Sequence, residues 1–321
     1  MPHALLVGAL ALLSACASVQ PHTVEGSVQV AHLGRPDGDR RGFDELCRRF
    51  AQANRGCTLA YGSIAELAPS DRTRILFVHA GRGWAGVQRT STRVLSEIAV
   101  GDAILLRPGD ALSADPSLRT LAFHLGTPPP PGIPTFLRPD ADPEIQNAPG
   151  GCAPESGAYR RLILTWLADK GPYVYHELNC HRVRIVDSPT HYHPLAGGFD
   201  EFYLVQEAEP GAHLLVSRAV EAIETERVTR EQTAELFETI PLAPGDLVYL
   251  PRGTIHRGLG GVLAQVIALP GFVPGGEIVV DEHLSALNAR LGLAGELALP
   301  VHATPAAATP STGAAQPVQR P

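Results

Sequence analysis

The sequence predicts a mostly β protein with a few helices, and three observations carry that expectation. The chain of 321 residues holds 32 glycines and 29 prolines, shows few stretches of helical period, and gathers its apolar residues in short runs closed by glycine turns. Hydrophobic residues make up 44% and charged residues 18%, ordinary globular material, and the length suffices for one large domain or two small ones. A net charge of -7 without any basic cluster argues against a nucleic-acid partner, which needs grouped Lys and Arg. Lys170 is the single lysine and sits in "ADKGPY", a turn-like stretch, so Schiff-base chemistry has little to work with.

Taken in order, residues 1–15 read as a targeting segment. "ALLVGALALL" is too short to span a bilayer but has the length of a signal core, and "LSAC" follows it directly. This resembles a bacterial lipoprotein signal, which implies cleavage before Cys16, a lipid on that cysteine and a place in the cell envelope. "MPH" lacks the usual Lys or Arg, so a plain secretory signal stays open. Residues 16–40 are polar and turn-rich, as a tether would be, and "DELCRRFAQA" then has helical spacing.

Strand-like runs follow at "TRILFVHAGRGWAGV", "RVLSEIAVGDAILLRPGDALSA" and "LRTLAFHL". Residues 127–158 are proline-rich with no periodic apolar pattern and read as a linker. A second set of strands runs from about residue 159. "VDEHLSALNARLGLAGELAL" carries leucines at helical spacing, and residues 300–321, rich in Ala, Pro and Thr, read as a disordered tail. The two strand-rich halves share a pattern. Gly101, Asp102 and Gly109 align with Gly245, Asp246 and Gly253, and Leu112 falls where His256 stands, which points to an internal duplication. Apart from Cys16 there are four cysteines, Cys47, Cys57, Cys152 and Cys180, an even number that fits an exported, disulfide-permissive chain. The simplest pairing is Cys47 with Cys57 and Cys152 with Cys180, with the other connectivities open. None of these four has C-x-x-C spacing, so a zinc role is the weaker alternative.

"THYHPLAGGFDEFYLV" places His191 and His193 two residues apart, where a strand sends both side chains to one face. His256 lies past the turn in "PGDLVYLPRGTIHRG", and Glu201 enters an apolar run. Three imidazoles and one carboxylate make a site for a divalent transition metal, and in an octahedral shell they leave two positions for water or substrate.

"HYH" followed by Glu201, and later "GDLVYLPRGTIH", resemble the two motifs of the cupin superfamily. That resemblance implies a double-stranded β-helix, or jelly-roll, barrel holding a metal through His191, His193, Glu201 and His256. The spacer "PLAGGFD" is longer than the family's, Gly260 stands in place of a frequent asparagine and Ala208 in place of a glycine. Asp200 competes with Glu201, which is preferred because "FYLV" follows it directly. Residues 159–299 then form a metal-binding cupin. Residues 41–126, with Leu112 in place of the last histidine and no His-x-His, form a degenerate cupin-like domain, making the chain bicupin-like.

His79 and His124 are read as strand residues, and His176, His181 and Tyr203 as neighbours of the site. The metal, among Fe, Mn, Zn, Ni or Cu, is not set by these residues. The resemblance implies an oxygenase-type enzyme acting on a small molecule, and the chain has no G-x-S-x-G, H-E-x-x-H or P-loop. Alternatives are a sugar isomerase or epimerase, a non-catalytic envelope lipoprotein that binds a metal or small ligand, and a structural envelope protein. Expected partners are a small molecule, the membrane through the lipid anchor alone, and a second copy in a homodimer. Replacing Cys16 with Ser is expected to abolish metabolic labelling with palmitate, and unchanged labelling would remove the anchor.

Overall fold

A strand opens the described chain where a tether was expected. The structure is a computed structural model that describes residues 27–35, 38–271 and 276–302; the expected signal segment, Cys16 and residues 303–321 of the tail lie outside them. Strand β1 (Gln29–His32) pairs antiparallel with β15 (Asp246–Leu250), and His32 Nδ1 lies 2.7 Å from Asp246 Oδ1 across 214 residues of chain. Helix α1 (Arg40–Ala53) follows, capped by Asp39, whose carboxylate accepts the Gly42 N–H at 2.9 Å. Its buried residues Leu46 and Phe50, one turn apart, mark its inner face.

The first lobe is a seven-stranded sheet built from β2 (Thr58–Leu67), β3 (Thr73–Ala80), β4 (Gly83–Arg89), β5 (Thr92–Ile98), β6 (Ala103–Leu106), β7 (Ala111–Leu125) and β8 (Phe136–Leu137). The second is ten-stranded. It takes β1 with β9 (Arg160–Leu164), β10 (Asn179–Asp187), β11 (His191–Tyr192), β12 (Asp200–Ala208), β13 (His213–Ser217), β14 (Glu238–Pro241), β15, β16 (Ile255–Leu269) and β17 (Ile278–Val279). Helices α2 (Val220–Glu224) and α3 (Asp281–Leu291) flank it. Both sheets curl into barrel-like form, and β16 shows how: its first half pairs with β11 and β13, its second half with β10 and β12. Gly260 and Gly261 separate the halves at φ +86, and a Cβ on Gly260 would stand 2.9 Å from the Ala212 Cα, so the bend accepts only glycine there.

The core forms four clusters, three of them sorted by alternation along the strands and a fourth under α2 and α3 around Tyr192, Ile223, Ile255, Leu284 and Leu287. On β12, Phe202 and Leu204 join Leu247, Tyr249 and Ile267 in a layer shared with Ile75, Phe77 and Phe123 of the first lobe. Tyr203 and Val205 face the other way, into the second barrel with Val248 and Val266. The first barrel encloses Leu76, Val78, Ile104 and Leu112. Strands buried on both faces read as continuous apolar runs, hence "RILFV" and "FYLV". The duplication is visible at atomic level: Gly101 and Gly245 have φ of +95 and +89, and Asp102 and Asp246 each accept a backbone N–H three residues back, from Ala99 and Ala243, at 2.9 Å. Leu112 sits in the apolar interior of its lobe, and His79 and His124 lie in β3 and β7.

Four expectations need correcting. Residues 29–32 are a sheet strand, because their N–H and C=O groups complete the exposed edge of β15. The proline-rich segment is docked: β8 pairs with β6, and Ile133, Leu137, Ile145 and Ala153 are buried. The four described cysteines are free thiols. Cys180 packs in the layer between lobes while Cys152 packs inside the second barrel, so the pleat of β10 turns the expected partners apart. Cys47 and Cys57 are likewise unpaired. Residues 301 and 302, expected as tail, dock on α3, where the His302 N–H donates to Asp281 Oδ1 at 2.9 Å. Among the described residues no helix is long and apolar enough to cross a membrane.

Candidate metal centre

His191, His193, Glu201 and His256 come together, buried, with one ligand atom from each within 4.8 Å of all the others. This group is able to hold a divalent metal ion. His191 pairs in register with His256 across β11 and β16, and their ring centroids are 4.3 Å apart. His193 Nε2 lies 3.2 Å from Glu201 Oε2, and His256 Nε2 lies 3.9 Å from Glu201 Oε1.

Backbone carbonyls orient two of the rings. His191 Nδ1 meets the Pro189 carbonyl at 2.9 Å and His256 Nδ1 the Thr254 carbonyl at 3.1 Å, which places the proton on Nδ1 and the lone pair on Nε2, toward the centre. His256 Nε2 is buried with no hydrogen-bond partner, as a ligand atom would be. His193 is stacked on Phe199 at 3.8 Å between centroids. Helix α3 clamps the strand before the first ligand: Asp281 Oδ2 accepts the Thr190 N–H at 2.9 Å, and the Val280 N–H donates to the Thr190 carbonyl at 2.8 Å.

The long spacer still delivers Glu201 because it closes on itself. Gly198 lies so near the Pro194 carbonyl that no side chain fits, and the Gly253 N–H donates to the His193 carbonyl at 2.6 Å. The pleat of β12 then settles the choice between adjacent acids. Glu201 shares its face with Tyr203 and Val205, inside the barrel. Asp200 faces the layer between lobes. There it accepts from Asn54 Nδ2 at 2.5 Å, Tyr249 Oη at 2.9 Å, Arg252 Nε at 2.8 Å and the Arg252 N–H at 3.0 Å, and Arg252 Nη2 donates to Asn54 Oδ1 at 2.8 Å. Asp200 thus ties the end of α1 to the turn that carries His256.

A cavity of about 310 Å³ reaches the centre, lined among others by His191, His193, Glu201, Arg160, His181 and Glu277. Glu277 was missed in the sequence. Its Oε1 lies 3.3 Å from His191 Nε2, and the only signal for it is an acid after two glycines in an otherwise apolar stretch. Of the neighbours named from sequence, His181 lines the cavity with its Nε2 3.3 Å from Cys152 Sγ, Tyr203 is buried in the barrel with its ring edge-on to His256 at 6.4 Å, and His176 is exposed, outside the cavity lining. Lys170, in its turn, borders the cavity and pairs with Asp169 at 3.3 Å.

Burial holds His193 and His256 well below the ordinary imidazole range, and the neighbouring imidazoles add to it. Burial also pushes the Glu201 carboxyl up to about 8, with the charge of Glu277 second. Both effects disfavour charge in the dry cavity, and a dication reverses the preference at the carboxylate.

No family model matches the chain, and no curated protein does. Among solved structures it is similar to the Lactobacillus farciminis oxalate decarboxylase formate complex, with 13% identity, a TM-score of 0.47 and coverage of 76% of this chain and 86% of that one. It is also similar to a Bacillus subtilis oxalate decarboxylase studied for its Mn(II) centres, with 11% identity, a TM-score of 0.45 and coverage of 75% and 76%.

Metal binding requires ionised Glu201, which carries a proton below about 8 in the metal-free protein. Affinity should therefore rise about tenfold per pH unit up to that point and level off above it. Calorimetry in buffers of different ionisation enthalpy should show about one proton released per ion near pH 7 and almost none at pH 9. In the metal-free chain the sign is opposite: a raised folded-state pKa means stability falls as pH climbs from 4.5 to about 8. The adjacent acids should separate cleanly on mutation. Asp200→Ala should cost on the order of 3 kcal/mol in denaturant unfolding, because it strands the Arg252 charge. Glu201→Gln should keep stability yet lose tight metal binding. Reversed outcomes would exchange their roles.

Proposed function

We propose that this chain is a metal-dependent enzyme of oxygenase type that converts a small organic molecule at the His191, His193, Glu201 and His256 centre. The observation that carries this reading is the cavity: a group confined to a structural ion would be walled in, whereas here about 310 Å³ of space opens onto three of the four side chains. His191, His193, Glu201 and His256 would hold a redox metal such as Fe or Mn, which would supply Lewis acidity and one-electron chemistry. The chain's own residues do the rest. The Pro189 and Thr254 carbonyls hold His191 and His256 with Nε2 directed inward. Leu162, Leu164, Phe199 and Val266 line the cavity with apolar surface that limits water. Glu277, 28% exposed at its side chain and beside His191, is placed to take or return a proton at Oε1.

Glu277 also favours a second reading, an isomerase or epimerase in which that carboxylate moves a proton between substrate carbons. On either reading the enzyme works in the bacterial cell envelope, tethered through a lipid on Cys16. Protein loaded with Fe(II) or Mn(II) is expected to consume oxygen with at least one member of a panel of phenols, diketones and small carboxylic acids, and His256→Ala should return uptake to background. Absence of uptake with every compound, together with solvent deuterium appearing in a recovered sugar, would replace the oxygenase by the isomerase.

A further inference from the structure

Strand β5 is an open edge. It ends the strand order of the first lobe and, among the described residues, pairs with β4 alone, from Arg89↔Thr92 to Gly83↔Ile98, across a turn made by Thr90 and Ser91. The second lobe guards the matching position. There β13 lies on the first half of β16 and β14 lies outside β13, just as β4 lies on the start of β7 and β5 lies outside β4. β14 is four residues long and ends on Pro241, which has no N–H to offer a further strand. β5 runs seven residues, "TRVLSEI", without a proline.

A turn this tight aims the Arg89 carbonyl and the Thr92 N–H at each other. The ladder to β4 therefore uses Thr92, Val94, Ser96 and Ile98, and the N–H and C=O groups of Arg93, Leu95 and Glu97 face away from it. The side chains of those three share one face with Trp84 and Gly86 of β4. Leu95 pairs with Gly86 and Glu97 with Trp84, and a Cβ on Gly86 would meet Leu95 Cδ2 at 2.8 Å and Arg93 Nε at 2.9 Å. Trp84 is 60% exposed and Leu95 58%, an apolar pair left in the open. Arg93 donates from Nη2 to Ser113 Oγ at 3.1 Å and pairs with no carboxylate among the described residues. Both bonds from Arg82 to Glu97 go to Oε1, which leaves Oε2 for a second cation.

We propose that β5 is a docking edge for a second copy of this chain: two copies join antiparallel about a two-fold axis at Leu95, so that the sheets of their first lobes become continuous. That axis sets Arg93 opposite Glu97 of the second copy and Glu97 opposite its Arg93, with Leu95 against Leu95. The segment is thus complementary to itself in charge. The same three positions carry the outward N–H and C=O groups, so the register that pairs the charges also pairs the open backbone. Moving the axis to Val94 or Ser96 would set Leu95 against Arg93 or Glu97 and lose both ion pairs. On the joined face Trp84 and Leu95 of each copy extend one apolar strip. The contact lies on the first lobe, away from the residues that line the metal cavity, and is independent of the metal-enzyme reading.

Sedimentation velocity on the full chain from about 1 μM to about 200 μM should show a reversible monomer–dimer equilibrium. Arg93→Glu and Glu97→Arg, made singly, each set like charges face to face at both ion pairs and should weaken association about tenfold. The double variant exchanges the charges and should return to within about threefold of wild type. Melting temperatures measured alongside should stay close to wild type, because neither side chain belongs to a core cluster. If one of these variants does not fold, Leu95→Lys places two ammonium groups at the axis and should weaken association in the same direction. A monomer at every concentration overturns the proposal, whether the edge is bare or is covered by a part of the chain outside the described residues. So does a dimer that ignores every substitution, or a double variant as weak as the single ones.

Discussion

On strand β12 the pleat sends neighbouring carboxylates to opposite sides of one sheet, Glu201 into the barrel and Asp200 into the layer between lobes. That alternation is a covalent constraint on a strand, and everything near the centre is arranged around it. Inside, the Glu201 carboxyl stands among three imidazoles, of which His193 and His256 are kept neutral by burial. Outside, a carboxylate is satisfied four times over by α1, β15 and the turn after it. A slip of one residue would put Asp200 among the imidazoles and turn Glu201 toward Arg252, so pairing register and ligand set are one property.

The layer between lobes explains why a lobe without ligands is kept. Phe50, Phe123, Phe202 and Tyr249 meet there edge-on or stacked, with centroids 5.0 to 6.2 Å apart. Each barrel supplies one wall of this layer, and α1 closes it. The first lobe gives up chemistry at the Leu112 position but retains the wall, and the buried face of β12 needs that wall as much as it needs its own barrel.

Much of this was legible in the residues. Alternate histidines before an apolar strand specify a shared face, and the turn repeated at Gly101 and Gly245 has the same positive φ and the same aspartate cap in both halves, so a match of a few letters reflected real geometry. What escaped was long-range. Asn54 and Glu277 gain their roles from partners far away in sequence or from the cavity they line. The cysteine parity argument failed for a related reason: an even count constrains numbers, whereas the faces of β10 decide who meets whom. The proline-rich segment misled because low periodicity was equated with a lack of packing, yet Ile133, Leu137 and Ile145 need only single contacts, not a repeat, to dock.

Covalent order and spatial partition disagree at one place: Gln29–His32 precedes the first lobe in the chain but belongs to the second lobe's sheet. Excising the metal barrel at its apparent boundary would leave β15 with an unpaired, self-complementary edge, an invitation to fibrillar stacking. A gene fragment transplanting this barrel elsewhere must therefore carry its opening segment along, or find a surrogate strand in its new host.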